Sequence, residues 1–381
     1  MSIPVPIRSE TNAREDATRA ARPDARHLPG HYYTSPAVFQ REKEALYMKR
    51  WLCVGREEEI ANAGDYLTLR VIDEPVLVVR DEQGRIAALS NVCRHRGVEV
   101  AHGAGNAKHF SCPYHAWVYD LTGRLIGAPL MRGTNFDQAA CRLPALRVGT
   151  WQRWIFVCFD ANAPTLEESI APFAGQFGFL QPQDCRLSDK LVIDLNCNWK
   201  FACENLMDIY HVGTIHAKTF GGSYKGDKER YSFILLPGGG FSFVGEAAPT
   251  TPDGKLLFDM MPWIADRGPN FAMLGFLGPN MNYAARSESQ RMWVTWPLGE
   301  DRSRLIVYSL LPAGAFDRPD QKEKSQLVRR FLESIVEEDR AMLESLQNGV
   351  DSRMFVPGPF ARLEEPIHHM INDYLASIAA Q

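Results

Sequence analysis

Asn91-Val92-Cys93-Arg94-His95 and, after sixteen intervening residues, Cys112-Pro113-Tyr114-His115 decide how this chain is to be read. Each short stretch offers one thiolate and one imidazole, in the order Cys, His, Cys, His. A zinc finger usually opens with two cysteines separated by two to four residues, and this pattern does not. A mixed pair, repeated once, suits a [2Fe–2S] centre in which Cys93 and Cys112 hold one iron and His95 and His115 the other. Histidine ligation raises the potential of such a centre to roughly −150 to +300 mV. The competing reading, four unrelated residues in an ordinary domain, leaves the repeat unexplained. The motif points to one-electron transfer.

Working outward, short alternating strands surround the two stretches. YLTLRVI and PVLVVR lie upstream, followed by a turn at Asp81-Glu82-Gln83-Gly84 and the strand IAALS. Trp117-Val118-Tyr119, a turn at Asp120-Leu121-Thr122-Gly123 and WIFVCF lie downstream. This predicts an all-β unit over residues 51–160. Before it, Thr34-Ser35-Pro36 supplies a hydroxyl cap and a proline for the first turn of a helix through VFQREKEALYMKRW. Residues 29–50 are therefore read as a helical arm packing with the second unit, and residues 1–28, which lack the apolar core of a signal peptide, as a mobile tail. Residues 161–381 read as a mixed unit with the strands YSFILL, FSFVG, MWVTWPL and RLIVYSLL flanked by helices. The fold class is α+β, a small β domain inserted into a larger α+β domain.

Composition narrows the function. The 381 residues are 45% hydrophobic and 23% charged, with a net charge of −4, which argues against nucleic acid as a partner. No apolar run approaches the eighteen or so residues that span a bilayer. Eight cysteines in a chain this long are not a disulfide framework. Cys53, Cys141, Cys158, Cys185, Cys197 and Cys203 read as buried thiols in a reducing cytoplasm.

A second constellation lies in Asn205-Leu206-Met207-Asp208-Ile209-Tyr210-His211-Val212-Gly213-Thr214-Ile215-His216. Asp208 and His211 are three apart and would share a helix face. His211 and His216 are five apart, separated by about 140° on a regular helix. Both reach one ion only if the helix breaks between them, and Gly213 is placed to allow it. Two histidines and one carboxylate form the facial triad of non-haem Fe(II), whereas HExxH zinc sites use a four-residue spacing. Taken by itself, the histidine pair is weak evidence for a metal and fits a structural role somewhat better.

The carboxylate is sought in LVRRFLESIVEEDRAMLESLQNG, read as the C-terminal helix. Val328, Phe331, Leu332, Ile335, Val336, Met342, Leu343 and Leu346 form one apolar stripe. Asp339 falls near its middle, Glu338 at its edge and Glu337 opposite. An ionised carboxylate on a buried face needs a partner or a metal. Asp339 is the expected ligand, with Glu338 the competitor and a buried ion pair the alternative.

Together these motifs resemble the oxygenase component of the Rieske non-haem iron oxygenases, the aromatic ring-hydroxylating large-subunit family, over roughly Tyr32 to Ile378. The resemblance implies a Rieske cluster on Cys93, His95, Cys112 and His115, and a mononuclear iron on His211, His216 and Asp339. It implies a helix-grip (Bet v1-like) catalytic domain holding the inserted all-β Rieske domain. It also implies O2 as co-substrate and NAD(P)H as electron source, through a flavin-containing reductase and in some systems a ferredoxin. Relatives form ring-shaped trimers in which electrons cross between subunits, and Asp208 matches their bridging carboxylate. Asp208 also suits support of His211 through its second ring nitrogen. Asn205 would line the iron pocket. His102, His109, His368 and His369 read as ordinary surface or packing histidines.

Substrate identity is less legible. Phe201, Tyr231, Phe233, Phe241, Trp263, Phe271, Phe276, Trp293 and Trp296 supply core packing, a flat slot for an arene, or a cage for a quaternary ammonium group. The chain length suits a cytoplasmic homotrimer that monooxygenates or oxidatively demethylates an aromatic or methylated small molecule. The alternatives are cis-dihydroxylation of an aromatic ring, a Rieske electron carrier without oxygenase activity, and a ligand-binding module.

Overall fold

A computed structural model describes residues 15–131, 133–220, 231–245 and 247–379. The chain divides into two compact units, residues 47–169 and a discontinuous unit of residues 1–46 and 170–381. The first is thus an insertion in the second. Its edges fall several residues outside the 51–160 expected from strand texture, because the turn before β1 and the approach to a helix belong to it.

In the inserted unit, β1 (Leu52–Arg56), β2 (Asp65–Val71), β3 (Glu74–Arg80), β4 (Ile86–Ser90), β5 (Ala104–Asn106), β9 (Ala145–Trp151) and β10 (Trp154–Cys158) form one antiparallel sheet. Its order is β1-β10-β9-β4-β3-β2-β5. A smaller sheet joins β6 (Phe110–Ser111), β7 (Val118–Tyr119) and β8 (Leu125–Gly127). Two hairpin turns are built alike. Asp81 Oδ1 accepts from the N–H groups of Gln83 and Arg85, and Asp120 Oδ1 from those of Thr122 and Arg124. Gly84 and Gly123 supply the positive φ at the same point of each turn, 78° and 83°.

The larger unit opens with an arm. Ser35 caps α1 (Pro36–Glu42) by accepting from Val38 N–H, and Pro36 occupies the first turn. The regular helix is shorter than expected, because a wider turn at Lys43–Tyr47 replaces its continuation. The arm is pinned by Glu42, which is fully buried and receives Trp199 Nε1 at 2.8 Å, the Tyr374 hydroxyl and the Lys200 ammonium. Residues 15–28 are not the mobile tail expected from composition. Residues 15–19 are helical, and Ala25 and Leu28 are buried, so apolar side chains spaced along this polar stretch anchor it. Residues 1–14 lie outside the described part.

Helix α2 (Leu166–Phe177) leads into the second sheet. Its strands are β11 (Cys185–Leu195), β12 (Tyr231–Leu236), β13 (Gly239–Val244), β14 (Ala272–Leu277), β15 (Met281–Arg286), β16 (Gln290–Pro297) and β17 (Ser303–Pro312). All neighbours are antiparallel, in the order β11-β17-β16-β15-β14-β13-β12. Between β11 and β12 lie α3 (Trp199–Asn205) and the single turn α4 (Val212–Ile215). The sheet holds α5 (Gln321–Val350), about 45 Å long at 1.5 Å per residue. Leu332, Ile335, Val336, Leu343 and Val350 form its buried stripe, whereas Met342 and Leu346, expected in that stripe, are 44% and 48% exposed. This is the helix-grip arrangement. Helix α5 is not the last one: α6 (Glu365–Ala379) follows and carries His368 and His369. His369 Nε2 donates to the carbonyl oxygens of Leu236 and Gly239, clamping the β12–β13 turn.

Candidate metal centres

The two cysteine–histidine stretches fold into matching loops. Cys93 N–H donates to Val98 O and Gly97 N–H to Cys93 O, and the second loop repeats the pattern from Cys112. Cys112 N–H donates to Trp117 O and Ala116 N–H to Cys112 O, with equal lengths of 2.8 and 3.0 Å in both loops. Gly97 and Ala116 take the positive φ that closes each turn, 82° and 55°. The equal construction puts the two cysteines in equivalent places, whereas His95 follows its cysteine by two residues and His115 by three. Each cysteine sits at the buried base, 3% exposed, and each histidine at the exposed tip. His95 Nδ1 and His115 Nδ1 approach to 3.1 Å, and the His95 ring stacks on Trp117. The Tyr119 hydroxyl oxygen accepts from Arg94 N–H, leaving its proton for Cys93 Sγ at 3.3 Å. Two buried sulfurs and two facing Nδ1 atoms fit a two-iron cluster, in which the pairs serve different irons and need not converge on one point.

The second set is built differently from the sequence expectation. Helix α3 ends at Asn205, a loop runs through Asp208, and α4 starts after His211. Asp208 and His211 therefore do not share a helix face, and the break precedes His211 instead of falling at Gly213, which lies inside α4. The reason is Asp208 itself. Its Oδ1 accepts from the N–H groups of Tyr210 and His211, a local bond that competes with helix continuation. With His211 just before the single turn and His216 just after it, both rings aim at one place.

His211 Nε2 and His216 Nε2 lie 3.3 Å apart. Asp339 Oδ1, from the middle of α5, lies 3.1 Å from His216 Nε2 and 3.5 Å from His211 Nε2. These donors all fall within 4.8 Å of one another. Asp339 Oδ1 is buried and has no hydrogen bond of acceptable geometry, an expensive state for a carboxylate that no ion joins. Burial opposes charge on His211, but hydrogen bonds and charge from Asp208 and Asp339 outweigh it and raise the ring to about 9. Burial raises Asp339, yet the two histidines hold it below the usual carboxylate range. Two imidazoles facing one low-pKa carboxylate oxygen fit a divalent iron with open positions.

Glu338, the competing ligand, does not join the donors. Its Oε2 lies 2.7 Å from His216 Nδ1, the nitrogen away from the site, and accepts from Thr219 Oγ1. It holds His216 in place, as Asp208 Oδ2 does His211 at 3.1 Å from Nδ1.

A cavity of about 110 Å3 adjoins this site, and Asn205, Asp208, His211, His216 and Asp339 all line it. Of the nine aromatic residues expected to supply a slot or cage, Trp293 alone is in the lining, joined by Phe220; Phe201, for example, stacks on Tyr33 instead. Two lining residues not anticipated from sequence are Arg286 and Arg291. Their signal was a pair of cations interrupting otherwise apolar strands.

Comparison with known proteins agrees with this geometry. Residues 50–145 match the Rieske [2Fe-2S] domain, and residues 182–380 the ring hydroxylating alpha subunit (catalytic domain). The chain belongs to the ring-hydroxylating alpha-subunit family. Its cofactors are those of that family, a Rieske [2Fe–2S] cluster and a mononuclear iron. Among relatives, the carnitine monooxygenase oxygenase subunit of Acinetobacter baumannii is 36% identical over 51% of this chain and 54% of its own length. The chain thus aligns with about half of that relative. The choline monooxygenase of Arabidopsis thaliana is 28% identical over 90% of this chain and 80% of its own. A solved quaternary ammonium Rieske monooxygenase in complex with L-carnitine superposes with a TM-score of 0.78, at 25% identity over 94% of this chain and 96% of that one. Naphthalene 1,2-dioxygenase, at 21% identity and a TM-score of 0.76 over 93% and 92%, shares the ring-hydroxylating fold. No helix among the described residues is long and apolar enough to cross a membrane.

Proposed function

We propose that this family member is the terminal oxygenase component of a multi-protein system that monooxygenates or oxidatively demethylates a small quaternary ammonium compound. The carrying observation is His211, His216 and Asp339 converging on one point beside a largely apolar cavity. An electron carrier has no use for that arrangement, and a ligand-binding module has none for two centres. The bound iron supplies O2 activation, with electrons from NAD(P)H arriving through a flavin-containing reductase, with or without a ferredoxin, and the cluster on Cys93, His95, Cys112 and His115. The protein's own residues do the rest. Asp208 and Glu338 fix the two ligand rings, and the apolar face of α5 excludes water from the cavity. The loop bearing Asp208 also presents a carboxylate that is 19% exposed beside His211, suited to bridge a cluster histidine of a neighbouring subunit of a homotrimer to His211.

The quaternary ammonium reading replaces the aromatic one for two reasons. The relatives just described include oxygenases named for carnitine and choline, and the cavity wall offers Trp293 and Phe220 in place of a flat aromatic slot. Dihydroxylation of an arene is therefore the weaker alternative. The test is NADH-driven oxygen uptake with a compatible reductase over quaternary amines, methoxyarenes and arenes. Consumption of a quaternary amine, with formaldehyde or a released amine as product, supports the reading; a cis-diol from an arene refutes it.

A further inference from the structure

The sheet wall of the cavity carries more positive charge than an apolar pocket tolerates. Ala284 of β15 pairs with Arg291 of β16, so Arg286, two residues beyond Ala284, lies on the same sheet face as Arg291. Both arginines are 6% exposed, and both line the cavity. Arg286 Nε donates to Thr250 Oγ1. The Arg291 side chain makes no hydrogen bond or ion pair with any described residue, and its buried Nε has no partner among them. Glu288 is its nearest counter-charge, but that carboxylate accepts from the N–H groups of Leu257 and Phe258. Arg291 also borders a smaller neighbouring cavity lined by Glu288 and Ser309. Burial and the adjacent Arg286 pull its pKa down to about 10, which still leaves it charged at neutral pH. An unpaired buried guanidinium is costly unless an anion joins it.

We propose that Arg291, with Arg286 beside it, binds the carboxylate of the substrate, so that the substrate is a zwitterion with ammonium and carboxylate ends. A carboxylate matches the planar guanidinium fork. A quaternary ammonium alcohol would instead add a third positive charge to this wall. Trp293 follows Arg291 by two residues on the same strand face and offers an aromatic surface for the ammonium group. The inference rests on the quaternary ammonium reading for that end alone; the carboxylate end stands on the arginines.

The test uses the iron- and cluster-loaded protein with two matched series, trimethylammonium carboxylates and trimethylammonium alcohols of equal chain length. Anaerobic calorimetry reads binding, and reductase-coupled oxygen uptake reads turnover. The carboxylates are expected to bind at least about tenfold more tightly, and Arg291→Gln to weaken them about 10- to 100-fold while changing the alcohols less than about threefold. Arg291→Lys should retain part of the affinity, and Arg286→Gln should also weaken the carboxylates; these two variants carry the test if Arg291→Gln does not fold. Equal binding of both series, or an equal loss for both in the variants, would overturn the proposal and leave Arg291 as a counter-ion to Glu288. Equally tight, arginine-dependent binding of carboxylates that lack an ammonium group would keep the carboxylate assignment to Arg291 but overturn the zwitterion and, with it, the quaternary ammonium reading.

Discussion

Asp208 holds His211 by its backbone and by its ring at once: Oδ1 accepts from His211 N–H, and Oδ2 lies 3.1 Å from Nδ1. One carboxylate therefore breaks the helix ahead of the ligand and sets the ring so that Nε2 is left for the metal. Asp208→Asn keeps a side chain that can still accept from the backbone but removes the charge facing Nδ1. Turnover should fall by about 10- to 100-fold, with the cluster spectrum intact and iron retained when assembled at high concentration. Unchanged activity would remove Asp208 from both ring support and electron delivery.

Asp339 and Glu338 are neighbours in sequence with different duties. Asp339→Ala removes a donor and should strip the mononuclear iron, leaving the cluster spectrum unchanged. Glu338→Gln leaves all three donors and should weaken iron binding only about tenfold. Metal titration of the two variants separates them; the reverse order would make Glu338 the ligand.

Tyr119 sits where a hydroxyl donates to a cluster-ligand sulfur. Withdrawing that hydrogen bond leaves more electron density on the thiolate and disfavours the reduced cluster. Tyr119→Phe should lower the midpoint potential of the cluster while preserving its absorption spectrum. Potentiometry that shows no shift would place the hydroxyl proton elsewhere.

Glu204, one residue before Asn205, is buried, and burial raises its carboxyl to about 8 from 4.5 although the Tyr33 hydroxyl donates to it. The folded state therefore holds a proton that the unfolded chain releases above about 4.5. Stability should fall as pH rises between about 4.5 and 8 from this group. Glu204→Gln should flatten that dependence, read as the thermal midpoint against pH. An equally steep dependence in the variant would contradict the assignment.

Much of this was legible in the sequence. The four residues proposed as cluster ligands were visible because a Cys-x-His stretch followed by a Cys-x-x-His stretch is a local signal, and the loops that present them close within six residues. The insertion was visible as a change from strand to mixed texture. Asp339 was visible because a charge in an apolar stripe needs a reason. What sequence alone did not show depends on tertiary packing. Periodicity placed Asp208 and His211 on one helix, since it takes no account of a side chain that captures backbone N–H groups. It likewise counted Met342 and Leu346 into the α5 stripe, although the sheet covers a narrower face. The strands β14 and β15 went unmarked because nearly every residue in them is buried, which erases the alternation that signals a strand. Arg286 and Arg291 acquired meaning only when hairpin register put them on one face.

Iron and sulfide analysis of the reconstituted protein, with its visible and electron paramagnetic resonance spectra, tests the two-centre account most directly. The account requires two irons and two sulfides in a mixed-ligand cluster plus one more iron per chain, the last lost selectively in Asp339→Ala. Colourless protein, zinc as the bound metal, or two irons per chain regardless of Asp339 would contradict it.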